Sequence, residues 1–97
     1  MILNIHSAIA QRYGLAGATV LAYLHHRYET ARNPAGEFTA PADALRKAFR
    51  IQRITFDSWR NKMEEDGLIY TKRLPNVTLY RLNQEAITNL TGDNDGH

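Results

Sequence analysis

Apolar residues recur at three- and four-residue steps through most of the first two-thirds of the chain, and two short β-rich runs then flank a Pro-Asn turn. That order predicts a mainly α domain with one small β-hairpin. The length of 97 residues sets the scale. A chain of that size buries roughly two-thirds of its unfolded surface around one core, so a single domain is expected. Hydrophobic residues at 43% and charged residues at 23% are ordinary for a globular protein, which argues against collagen-like, coiled-coil or wholly disordered chains.

Taken in order, Asn4 caps a short helix that buries Ile5, Ala8 and Ile9, and Gly14 stops it. From about Ala16 to Arg32, Val20, Leu21, Leu24 and Tyr28 give a long helix one core-facing side. Asn33-Pro34-Ala35-Gly36 breaks that pattern, and Phe38-Thr39 is a strand stub. Pro41 suits the first turn of a helix over about 41–49, with Ala44, Leu45, Ala48 and Phe49 turned inward. Arg50-Ile51-Gln52-Arg53 reads as a tight turn into a helix over about 53–66, on which Phe56, Trp59 and Met63 form the buried stripe and which Gly67 ends. Leu68 to Arg73 and Val77 to Leu82 form the hairpin around Leu74-Pro75-Asn76. Asn83 caps a last helix through Ala86, Ile87 and Leu90, and residues 91–97 read as a disordered tail, leaving 1–90 as the domain.

Charge is uneven along this frame. The formal net charge is only +2. Yet residues 41–82 carry Arg46, Lys47, Arg50, Arg53, Arg60, Lys62, Lys72, Arg73 and Arg81 against Asp43, Asp57, Glu64, Glu65 and Asp66. Between 46 and 62 the single acid is Asp57. Such local density suits an anionic partner, and it also suits a solvated helical surface.

The stretch Phe49 to Arg73, FRIQRITFDSWRNKMEEDGLIYTKR, resembles the turn, recognition helix and first wing strand of winged helix-turn-helix DNA-binding domains. Ile51 matches the apolar turn residue, Gln52 and Arg53 the polar helix start, Phe56, Trp59 and Met63 the buried positions, and Glu64-Glu65-Asp66-Gly67-Leu68-Ile69 the closing signature. The resemblance extends over about 38–82. Residues 5–24, IHSAIAQRYGLAGATVLAYL, are similar to the opening of winged-helix domains in phage and plasmid replication initiators and replisome organisers. Two departures stand out: Arg60 occupies a place where many relatives carry Leu, and Trp59 is bulkier than the usual small residue.

This resemblance implies sequence-specific binding of double-stranded DNA, with the helix after the turn in the major groove. On a helical wheel the side opposite Phe56, Trp59 and Met63 carries Ile54, Asp57, Ser58 and Asn61. Ser58 and Asn61 can bond base edges, with Asn suited to adenine, and Ile54 can meet a thymine methyl. Asp57 would repel phosphates, so affinity is expected from Arg46, Lys47, Arg50, Gln52 and Arg53 around the turn, Lys62 beside the helix, and Lys72 and Arg73 on the wing. Lysines on a hairpin edge also discourage sheet-to-sheet aggregation, an alternative reading of the wing cations.

Catalysis is not expected. His25 and His26 are adjacent, about 100° apart on a helix, no Cys is present to complete a metal site, and no phosphate loop or nucleophile motif appears. No cofactor and no small-molecule ligand are expected. The longest apolar runs are far below the ~20 residues of a membrane span. With no signal-peptide pattern and no cysteine, a cytoplasmic place is expected. The function expected is that of a small transcriptional regulator. The alternative is a protein-protein interaction module or a replication-initiation accessory protein that uses the winged helix to bind a partner. Ile2, Leu3, Ile5 and Ile9, with Ile87 and Leu90, offer more apolar surface than the long helix needs, from which a homodimer through the N-terminal and long helices is expected.

Overall fold

The computed structural model of the chain describes residues 2–92. Residues 2–6 belong to no helix or strand, and α1 (Ser7–Ala31) begins where the His6 Nδ1 accepts a hydrogen bond from the Ala8 N–H at 3.1 Å. The cap is therefore His6 and not Asn4. Ile5, which precedes the helix, stays 40% exposed instead of joining Ile9 in the core. Gly14 interrupts α1 at φ 79° and ψ 171°, a conformation open to glycine and strained for any other residue. The interruption divides α1 into the short and long segments that the sequence predicts.

Along the long segment Val20, Leu21 and Leu24 are buried as expected, and so are Ala18 and Tyr23, with Tyr13 of the short segment. Tyr23 is buried through its ring while its hydroxyl donates to the Pro41 carbonyl at 2.7 Å, which satisfies the one polar atom of the side chain. Tyr28 is only partly buried and meets the Phe38 ring edge-on.

Phe38 forms a single antiparallel bridge with Tyr80, and the Arg27 guanidinium donates to the Thr39 carbonyl at 2.7 Å, pinning the stub to α1. α2 (Ala42–Phe49) follows with Pro41 as its N-cap. Its last turn departs from expectation: Leu45 is fully buried, but Ala48 is exposed and Phe49 is 39% exposed. Arg50 leaves the helix in the left-handed conformation at φ 59°, ending α2 before its last turn reaches the core.

α3 (Arg53–Glu65) packs against both α1 and α2. Phe56 and Met63 are buried. Trp59 is only partly so; it fills the gap between α3 and α1 from the side, edge-on to Tyr13 at 5.8 Å and against Gly17. Glycine is required at position 17, because an added Cβ would lie 2.7 Å from the Tyr13 Cβ and 3.0 Å from the indole. β1 (Ile69–Arg73) and β2 (Thr78–Leu82) form the antiparallel hairpin, with Ile69 opposite Leu82 and Arg73 opposite Thr78. Asn83 serves two elements at once. Its Oδ1 accepts from Ala86 N–H to cap α4 (Gln84–Gly92), and its Nδ2 donates to the Gly67 carbonyl after α3. α4 takes in Thr91 and Gly92, which the sequence assigns to a tail; the rest of that tail, 93–97, lies outside the described residues.

The result is a mainly helical single domain of winged-helix-like architecture: α1 packs on α3, α4 and β2, α2 and a turn lead into α3 and pack on it, and the hairpin lies against α3. Among the described residues no helix is long and apolar enough to cross a membrane.

Candidate nucleic-acid interface

The burial of Phe56 and Met63 fixes the rotation of α3, and so decides which side chains reach solvent. Ile54 is 79% exposed, and Ser58, Asn61 and Glu65 share its side of the helix. Glu65 was not foreseen on this face, although its spacing four residues beyond Asn61 marks it.

Asp57 sits at the edge of the face next to the hairpin, and it is not a bare acid. The Arg60 guanidinium approaches its Oδ1 at 3.1 Å, and Arg53 its Oδ2 at 3.8 Å. The departure at position 60 thus has a structural role: the Arg60 side chain is only 15% exposed, and its guanidinium meets Asp57 and the Asn61 side chain. Its buried Nε has no hydrogen-bond partner among the described residues, while its two terminal nitrogens donate to Asp57 and Asn61, and Asp57 balances the charge of a mostly covered cation. The repulsion expected from Asp57 is therefore largely neutralised. The spacing of three residues to Arg60 and four to Arg53 was legible in the sequence as a helical ion-pair pattern.

Arg46, Arg53 and Arg60 line one cleft of about 440 Å³ between α2, α3 and the start of β2, with Thr78 opposite. Arg46 and Lys47 share Asp43 at 2.6 and 3.1 Å, and their hydrogen bonds hold the Asp43 carboxyl below the usual range. Arg50 and Gln52 are both exposed in the turn. On the far flank of α3, Lys62 lies 3.5 Å from Asp66. The Tyr13 hydroxyl donates to Asp66 at 2.6 Å and, ahead of Lys62, holds that carboxyl low. On the wing, Arg73 lies 3.8 Å from Glu64, while Lys72 is exposed with no ion pair among the described residues.

The predicted site residues thus occupy three adjoining surfaces: the turn, the open side of α3, and the wing. Exposed pairs of this kind are worth about 0–1 kcal/mol, so Arg46, Lys47, Arg53 and Arg73 can exchange carboxylates for phosphates at small cost. Among the described residues no three His, Asp or Glu side chains gather as metal ligands. Comparison with models of known protein families, with characterised proteins and with solved structures finds no match.

Proposed function

We propose that this chain is a winged helix-turn-helix protein that binds double-stranded DNA in a sequence-specific manner, most simply as a transcriptional regulator without catalytic activity. The observation that supports this reading is the neutralisation of Asp57 by Arg60 and Arg53 beside an exposed strip of Ile54, Ser58 and Asn61. A strip of that chemistry fits base edges and a thymine methyl, and the surrounding cations fit phosphates. The reading places α3 in the major groove, with Arg46, Lys47, Arg50 and Gln52 on one backbone, Lys62 beside the helix, and Lys72 and Arg73 on the other backbone. Selection from random duplexes tests it. A consensus should emerge, and Asn61→Ala should lose preference at one position by roughly 5- to 150-fold, the range for one bidentate base contact. Failure to select any consensus, with Ile54 instead protected by a protein partner, would favour the interaction-module reading.

We also infer a homodimer formed on the opposite side of the domain. An apolar groove of about 380 Å³ between the start of the chain, α1 and α4 is lined by Ile5, Ile9, Leu21 and Ile87, and Ile2, three residues before Ile5, is 88% exposed. Association there leaves both α3 helices open to two half-sites.

A further inference from the structure

The hairpin has a second face that the duplex reading leaves almost unused. Alternate residues of a strand point to opposite sides. Ile69 is buried, and Thr71 bonds Glu64 on α3 at 2.6 Å, so the intervening Tyr70 and Lys72 stand on the outer side. Register sets Tyr70 opposite Arg81 and Lys72 opposite Leu79. Tyr70 is 50% exposed, and the Arg81 guanidinium lies 5.8 Å from its ring centroid. Neither Lys72 nor Arg81 has an ion pair among the described residues. Glu37 precedes the bridging Phe38, and its carboxylate accepts from Asn33 at 3.3 Å.

An exposed aromatic ring flanked by two cations without ion pairs on the face of a hairpin is suited to an unpaired base with phosphates on either side. In a duplex the base faces are already stacked on one another, so a ring presented in this way gains nothing from one. We propose that the outer face of the hairpin binds single-stranded nucleic acid, with a base stacked on Tyr70 and the adjoining phosphates on Arg81 and Lys72. Tyr70 and Arg81 are independent of the duplex reading, because α3 packs on the hairpin's other side, and only Lys72 is shared with it.

The test is fluorescence anisotropy of the full chain with a labelled oligothymidine of about 16 nucleotides, long enough for a small single-strand site, run beside a duplex. The unaltered chain should bind the oligothymidine. Tyr70→Ala should weaken that binding roughly 5- to 150-fold, the loss of one base stack, whereas Tyr70→Phe keeps the ring and should retain affinity. Arg81→Ala should also weaken it, and Arg53→Ala on α3 should leave it unchanged. Should Tyr70→Ala fail to fold by circular dichroism, Arg81→Ala decides. No binding by the unaltered chain, full affinity in folded Tyr70→Ala or Arg81→Ala, or equal losses in Tyr70→Phe and Tyr70→Ala would overturn the proposal. Loss of duplex binding alone would overturn only the α3 reading.

Discussion

The two sides of this domain are built from opposite materials. Around α2, α3 and the hairpin, Asp43, Asp57, Glu64 and Asp66 each lie within ion-pair reach of an exposed cation, Arg46, Arg53, Arg73 and Lys62 respectively. Around the start of the chain, α1 and α4, the groove is lined mainly by Ile5, Ile9, Ala18, Leu21, Ala22 and Ile87, and among the described residues Glu29 is its one formally charged lining residue. Surface ion pairs cost almost nothing to keep in water and almost nothing to exchange. Exposed apolar area costs roughly 25 cal/mol per Å², which association recovers. The polar side is thus suited to a partner that comes and goes with salt, and the apolar side to one that stays.

The comparison breaks first on α3 itself, where two residues apart one side chain is core and the other is surface. Phe56→Ala should destabilise by about 3–5 kcal/mol in denaturant unfolding. Ile54→Ala should shift stability by less than about 0.5 kcal/mol. Comparable losses would mean that α3 is rotated. Trp59→Ala, at a partly exposed site, should fall between the two.

The apolar side is tested by light scattering, which should give twice the chain's 11.1 kDa at micromolar concentration. Ile2→Ser should weaken the dimer by about 1.5–3 kcal/mol if the side chain is buried on association. A mass of 11.1 kDa for the unaltered chain would remove the dimer. Next in size is Gly17→Ala, which drives a methyl into Tyr13 and Trp59 where the two sides meet. Overpacking there should cost about 1–3 kcal/mol.

The smallest effect is that of pH. Asp43 and Asp66 titrate below their unfolded values, so the stability they contribute is present above about pH 4 and is lost as pH falls through the lowered folded values. Burial, and after it the bond to Asp66, raises the Tyr13 hydroxyl, so its contribution is present below about pH 10 and lost above. Asp66→Asn should flatten the acid limb of a thermal-melting series, and an unchanged limb would dismiss the Tyr13–Asp66 tie.

Much of this was legible in the residues. Helical periodicity and the Gly14, Gly67 and Asn83 signals located the elements, and the stripe Phe56, Trp59, Met63 gave the rotation of α3. What periodicity could not foresee was tertiary. Phe49 belongs to an apolar pattern but sits on the last turn of α2, which Arg50 ends before it reaches the core. Tyr13 and Tyr23 are amphipathic, and their burial depended on finding Asp66 and the Pro41 carbonyl, distant in sequence, for their hydroxyls. The spacing of Arg60 from Asp57 marks their pair, but the covering of the Arg60 side chain to 15% exposure depends on the wall of the cleft around it.

The central claim is that the α3 side holds duplex DNA through cations that surface carboxylates only loosely retain. Its most direct measurement is duplex affinity across a salt series for the unaltered chain and for the Arg53→Ala, Lys72→Ala, Arg73→Ala triple variant. The account predicts a folded variant with weaker binding, whose slope of log affinity against log salt is shallower by about 0.9 for each phosphate that the variant no longer neutralises. Unchanged affinity and slope in the folded triple variant would contradict it.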